Sequence, residues 1–388
     1  MNFKSFLLEA APSEEKLTHL EHAEDHHINA GGEGFQHAFN TLHQTHQLLT
    51  GNKSEASVST KFDGSPSVVF GYHPENGKFF VASKSAFNAT PKLNYTPEDI
   101  EKNHGHAPGL VSKLKAALQH LPKVTPKKGV YQGDIMYDKD EGDVKDEGGK
   151  FHFKSNTITY SIPKTHDEGK KIESSKFGVA VHTAYHGDTF KNMKAEYNAD
   201  TSNFRHHPDV HLLSTEVNIN QIKYSPEQQA LYKEHMANAV TTYNAMKNHK
   251  HLNDEITSHL KEYINKTVKT STNPTVEGFK QHIVDYYNKK ASSLKTQAGK
   301  QGKIQKGANH ISHIIKNENA FSQTLELHRH LQAAKNVLNN ALSSAPTYEH
   351  RVGKQKVKPE GHVVVINNRP SKFVDRDEFS KLNFQARA

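Results

Sequence analysis

Lys61-Phe62-Asp63-Gly64 is the stretch whose residue types point most directly to chemistry. It closes a run, Ser57 to Lys61, that reads as a β-strand, and Asp63-Gly64 supplies a tight turn directly after it. A lysine amine held rigidly at a strand end, partly desolvated and close to other cations, gives up its proton more readily and can attack phosphorus. The glycine lets the backbone turn closely beneath a bound group. The same tetrapeptide also fits a plain β-turn with an exposed lysine, so its surroundings decide between the two readings.

Other chemistry is narrowed by composition. The chain has no cysteine, which excludes disulfides, thiolate metal sites and a cysteine nucleophile. Its 29 histidines are scattered, with no H-E-x-x-H pattern. The pairs His26-His27 and His206-His207 lack zinc-site spacing, and surface or hydrogen-bonding roles are the expected ones. The acidic loop Asp138 to Gly149 lacks the EF-hand order and is not read as a calcium site. Tyr286-Tyr287, with lysines nearby, fit either stacking on a nucleic-acid strand or helix packing with a solvated face, and packing is the expected role.

The elements that would position Lys61 follow from periodicity. Residues 12–50 read as helix interrupted at Gly31-Gly32, with Phe35, Phe39, Leu42 and Leu49 at helical spacing. Strands are expected at 57–61, 67–72, 78–83, 130–137, 151–162 and 177–185, and a helix at 97–121 with Leu110, Leu114 and Leu118 facing the core. Residues 226–345 read as four or so helices, with breaks at 271–274 and 298–306. A last strand pair, 362–366 and 371–374, flanks a turn at 367–370. The pattern implies an α+β fold: a twisted, mostly antiparallel core of residues 57–215 and 350–388. A helical segment at 10–56 precedes that core, and a large helical insertion at 226–345 interrupts it.

The chain of 388 residues has room for several such units and a sizeable core. Only 34% of residues are hydrophobic and mean hydropathy is −0.81, which implies much exposed helix and loop around a modest core. The net charge of +8 favours an acidic partner such as nucleic acid. No run reaches the ~18 apolar residues of a membrane span, and no membrane partner is expected. The first residues are too short an apolar stretch, and too acidic, for a secretory signal.

Lys61 to Gly64 and the segments after it resemble, in order, the motifs of the covalent nucleotidyltransferase superfamily of DNA ligases, RNA ligases and capping enzymes. Lys61 to Gly64 resembles its first motif, which implies that Lys61 carries AMP while Asp63 and Gly64 lie against the nucleotide. Ser83-Lys84-Ser85 resembles the next motif, whose basic residue meets the nucleotide or the incoming strand. Gly133-Asp134 resembles the third, with Asp134 serving the ribose and metal region where Glu is usual. Phe177 to Val181 resembles the strand that supplies an aromatic side chain to the base, for which Phe177 is the expected residue. Glu360-Gly361-His362-Val363 resembles the fourth, with Glu360 on the divalent metal, and Lys372 resembles the lysine that grips the α-phosphate. His182 lies opposite Val179 and Val181, so it faces either the nucleotide pocket or a hydrogen-bonded core.

The resemblance covers about half of the chain and implies a ligase-like nucleotidyltransferase core that uses ATP and Mg2+ to join RNA or nicked DNA. This sequence departs from the family in two ways. The interval from Phe177 to Glu360 is long, and position 374 is Val where a second lysine is usual, with Lys381 available to substitute. The order of charges suits phosphoryl transfer, which needs cations on the non-bridging oxygens and carboxylates for the metal. Two other functions remain compatible: AMP transfer to a protein or small molecule, and DNA binding without chemistry by an internal head protein. The opening Met-Asn-Phe-Lys-Ser-Phe-Leu-Leu-Glu-Ala resembles the capsid-targeting peptides of T-even-like phages, through Leu7, Leu8, Glu9 and Ala10. That resemblance implies cleavage after Glu9, before Ala10, by a prohead protease. Packaging in the capsid interior and release into the host cytoplasm would follow. With the residues around Lys61 and the 78–95 segment, it is also similar to an uncharacterised family of large tailed phages.

Overall fold

Alternating and continuous apolar runs set the strands, and the computed structural model describes residues 20–88, 90–246 and 250–380. Glu9, Ala10 and Lys381 lie outside the described residues. Helix α1 (His26–Leu49) is followed by β1 (Ser57–Lys61), β2 (Ser67–Tyr72) and β3 (Phe79–Ala82), then α2 (Pro97–His104) and α3 (Pro108–His120). Next come β4 (Val130–Asp138), β5 (Val144–Glu147), β6 (Lys150–Lys154), β7 (Thr159–Pro163), α4 (Asp167–Ser174), β8 (Phe177–His186), β9 (Lys194–Tyr197) and β10 (Val210–Leu212). Five helices follow: α5 (Pro226–Ala245), α6 (Asp254–Thr270), α7 (Val276–Ser292), α8 (Gln297–Lys316) and α9 (Glu318–Leu342). The described chain ends in β11 (Glu349–Val352), β12 (Gln355–Val357), β13 (Gly361–Ile366), β14 (Arg369–Val374) and a short π-helix (Arg376–Ser380).

Among the described residues the strands form three sheets, antiparallel except for the β8–β10 pair, so the fold is mixed α and β. The large sheet runs β10-β8-β4-β2-β3, with β9 on the far half of β8. A small sheet, β1-β13-β14, leans against it, and a third runs β12-β11-β7-β6-β5. Several hydrogen bonds join the first two sheets, among them one from Ser59 Oγ to Asn198 Oδ1 at 2.6 Å. The chain after β10 gives the Thr215 carbonyl to Thr60 N–H at 2.7 Å. Asn368, in the β13–β14 turn, donates from Nδ2 to Ala195 O at 2.8 Å and accepts from Tyr197 N–H at 3.1 Å. Asn367 and Asn368 both have positive φ, as a two-residue hairpin turn requires, and Asn tolerates it. Pro370 sits on the edge strand β14, where the lost N–H is harmless.

The large and small sheets each pack one face on helices. Val68, Phe70, Val81, Ile135, Phe177 and Val179 pack beneath α2 and α3 with Ile100, Leu114 and Leu121. Val364, Ile366 and Phe373 of the small sheet pack against Leu42 of α1, Met236 of α5 and Leu331 of α9. The first and last long helices therefore share one core with the strand pair near the C-terminal end. Helices α6, α7 and α8 have a separate core, with Leu260, Phe279, Ile283 and Ile314.

Several elements differ from the sequence expectation. The 97–121 helix is two, parted at 105–107, because Pro108 starts a new first turn. The 151–162 run is a hairpin turning at 155–158. No break occurs at 298–306: α8 runs through Gly299 and Gly302, and the break lies before Thr296, which caps the helix. The acidic loop carries β5, and β9 to β12 carry too little periodicity to read from sequence.

Candidate active site

Lys61 ends β1 opposite Gly361 of β13, while Ser59 pairs Val363, which in turn pairs Lys372 of β14. Residues two apart on a strand share a face, so Lys61 and Lys372 rise from the same side of the small sheet. Across from them the large sheet presents its other face. There β4 contributes Gln132 and Asp134, and β8 contributes Ala180, His182, Thr183 and Tyr185. A register shift between Gln132 and Gly133 leaves His182 as the extra residue of a bulge, which turns both His182 and Thr183 inward. Gly133 permits it, since a Cβ there would sit 2.6 Å from Ala180 O.

Between the two sheets lies a cleft of about 750 Å³, lined by Lys61, Lys84, Asp134, His182 and Lys372 among others. That size falls within the range of small-molecule sites. Lys84 reaches it from the one-turn helix after β3, whose start is capped by Ser83. Lys84 and Lys372 have no carboxylate partner among the described residues.

Lys61 Nζ donates to Glu360 Oε1 at 2.5 Å, with 26% of the Lys61 side chain and 10% of the Glu360 side chain exposed. Burial opposes the Lys61 charge, but Glu360, Asp134 and Asp63 outweigh it and raise its pKa. Burial pushes Glu360 up to about 7 against the pull of Lys61. Burial, with the Lys61 and Arg376 cations, lowers Lys372. Asp134 would be raised by burial, yet His182, 3.8 Å away, and Lys61 hold it below the usual carboxylate range. Resting Lys61 is thus an ammonium, not the readily deprotonated amine expected from the sequence, because carboxylates rather than cations surround it, and Glu360 is the acceptor in contact.

The fit to a divalent cation rests on Glu360. Its Oε2 is buried with no hydrogen-bond partner, an unmet acceptor that an ion or donor would satisfy. With Asp134 it offers the carboxylate oxygens that magnesium prefers, the remaining positions falling to phosphates and water.

The structure gathers Lys61, Gly64, Lys84, Asp134 and Lys372 around one cleft, while Glu360 does not line it and adjoins it through Lys61. It does not bring Asp63 or Phe177 there. The Asp63 carboxylate turns away and accepts from Asn156 Nδ2 at 2.8 Å, Thr157 N–H at 2.7 Å and Ile158 N–H at 2.9 Å. It organises the β6–β7 turn and pins the Lys61 loop to the third sheet. Its own N–H donates to Tyr160 Oη at 2.7 Å. Phe177 is fully buried on the opposite face of β8, stacked on His120 with ring centroids 5.7 Å apart. The aromatic side chains that line the cleft are Phe62, Tyr185 and Tyr197, and Tyr197 is the most exposed of them. Gln132 was findable, since alternation puts it on the face of Asp134. Tyr197 was not, because β9 is too short to show a period. Gly64 is needed for close approach: a Cβ would lie 2.4 Å from Asp134 Cβ.

The chain belongs to a family of unknown function, DUF6267, whose model matches residues 17–387. No curated protein and no solved structure matches it.

Proposed function

We propose that the protein is an ATP-dependent nucleotidyltransferase of the polynucleotide-ligase kind. The carrying observation is the convergence of Lys61, Lys84, Lys372 and Asp134 on one cleft, with Glu360 behind it in contact with Lys61. Lys61 Nζ attacks the α-phosphorus of ATP as its proton passes to Glu360. The nitrogen–phosphorus bond forms, the bond to the bridging oxygen breaks, and pyrophosphate leaves. Lys84 and Lys372 neutralise phosphate oxygens as charge redistributes in the transition state. Magnesium, when held by Asp134 and Glu360, would offset the charge of the triphosphate. Tyr197 is the aromatic side chain we assign to the base, in place of Phe177. AMP then passes from Lys61 to a 5′-phosphate of RNA or nicked DNA. In this reading the N-terminal peptide takes the protein into a phage head and so into the host.

Incubation of the purified protein with α-labelled ATP and magnesium, followed by a denaturing gel and intact mass, tests the reading. A covalent AMP adduct that Lys61→Ala abolishes is the expected result. Absence of an adduct from folded protein that is not already adenylylated, with ATP and with GTP, would overturn it. A second reading, a nucleic-acid-binding protein without chemistry, is favoured by the net charge of +8. It predicts salt-sensitive DNA binding unchanged by Lys61→Ala.

A further inference from the structure

Helices α6, α7 and α8 bring together histidines that are far apart in the sequence. His259 and Glu262 lie one turn apart on α6, and His282 comes from α7. One ligating atom of each lies within 4.8 Å of those of the other two. His259 and His282 are each 6% exposed, and His282 Nε2 is buried with no hydrogen-bond partner. The acid that it faces is Glu262, whose Oε2 is 3.9 Å away. A buried imidazole nitrogen left without a partner is costly, and it needs an explanation other than packing.

We propose that His259, Glu262 and His282 form a binding site for one divalent transition-metal ion of the zinc class. Two imidazoles and a carboxylate suit zinc, whereas calcium and magnesium prefer oxygen alone. Two donors at about 2.1 Å from one ion lie at most about 4.2 Å apart, so small side-chain rotations close the site. The three protein ligands leave a position for water. The surroundings also support His259: Tyr287 Oη lies 3.3 Å from its Nε2 and 3.0 Å from His310 Nε2, and donates to Glu255 Oε1 at 3.2 Å. Such outer contacts orient a ligating ring. Glu255 and His310 form an overlapping set with His259, but Lys306 already holds Glu255 Oε1 at 2.5 Å. The ion would tie α6 to α7, in a core separate from the one packed on the small sheet.

The test uses the full chain without a histidine tag, stripped of metal and titrated with zinc chloride against a chromophoric chelator. One zinc per chain, with a rise in melting temperature, is expected. Cobalt should give the absorption of a tetrahedral nitrogen- and oxygen-bound ion. His282→Gln should weaken zinc binding by more than about 10-fold. Glu262→Gln, at an exposed position that does not threaten folding, should weaken it too. The exposed His206→Gln should leave it unchanged. Zinc binding that is the same in His282→Gln and Glu262→Gln, or no binding above that of surface histidines, would overturn the proposal.

Discussion

Lys61 and Glu360 form the contact on which the proposed chemistry turns, and their protonation predicts a pH profile. Glu360 titrates near 7 because burial disfavours its charge. Below that pH the pair carries two protons and Glu360 cannot accept the one that Lys61 must lose. Adduct formation should therefore rise with pH and then level, with a midpoint near 7 at low magnesium that falls as magnesium, which favours the Glu360 carboxylate, is raised. Glu360→Gln should flatten that limb and slow labelling by about 10²–10⁴-fold, read from single-turnover rates across pH. Asp63 belongs to a different argument. With three donors on its carboxylate it maintains the loop that holds Lys61. Asp63→Ala should lower stability by on the order of 3 kcal/mol in urea unfolding, by stranding Asn156, Thr157 and Ile158.

Strand β8 shows how one element serves two faces. Phe177, Val179 and Val181 face the core beneath α2 and α3, and the bulge at His182 changes the phase. After it, Thr183 and Tyr185 face the cleft and Ala184 the core. A strict two-residue period carried through from Phe177 would have placed these the other way round. The assignment of Phe177 to the core has a direct consequence. Phe177→Leu should reduce stability by about 1 kcal/mol in denaturant titration and leave ATP affinity unchanged. A nucleotide-binding loss beyond that from unfolding would return Phe177 to the site.

Across the whole chain, a buried ion-pair network joins regions distant in sequence. Arg376, just after β14, pairs with Asp25 ahead of α1, and Lys335 of α9 binds Glu24 Oε1 at 2.8 Å and Val374 O at 2.7 Å. Asp25 is held well below the usual carboxylate range: burial raises it, but Arg376 and His328 outweigh burial. These groups lie beside β14, the strand that carries Lys372, so the network fixes the small sheet against α1 and α9. Arg376→Met should destabilise the fold by about 3–5 kcal/mol, because Asp25 is left buried without its cation. Adding Asp25→Asn should recover part of that loss in the same thermal or urea measurement.

The strands around the cleft were legible because their signals are local. Alternation and turn residues marked β1, β2, β3, β4, β8 and the β13–β14 hairpin to within a residue or two, and Asn367-Asn368 marked the turn. Lys61 stood out as a lysine at a strand end before Asp-Gly, and Asp134, Glu360 and Lys372 through their resemblance to nucleotidyltransferase motifs. Their convergence was a different matter. It depends on β1 pairing with β13 across about three hundred residues and on Asn368 and Thr215 locking two sheets together. No local pattern encodes such pairings. Asp63 looked equally suited to a nucleotide, and only the position of the β6–β7 turn gave its carboxylate three other donors. The histidines of α6 and α7 looked scattered because their spacing along the chain carries no motif. Helix packing brings them together, and hydrophobic burial that is blind to imidazoles determines that packing.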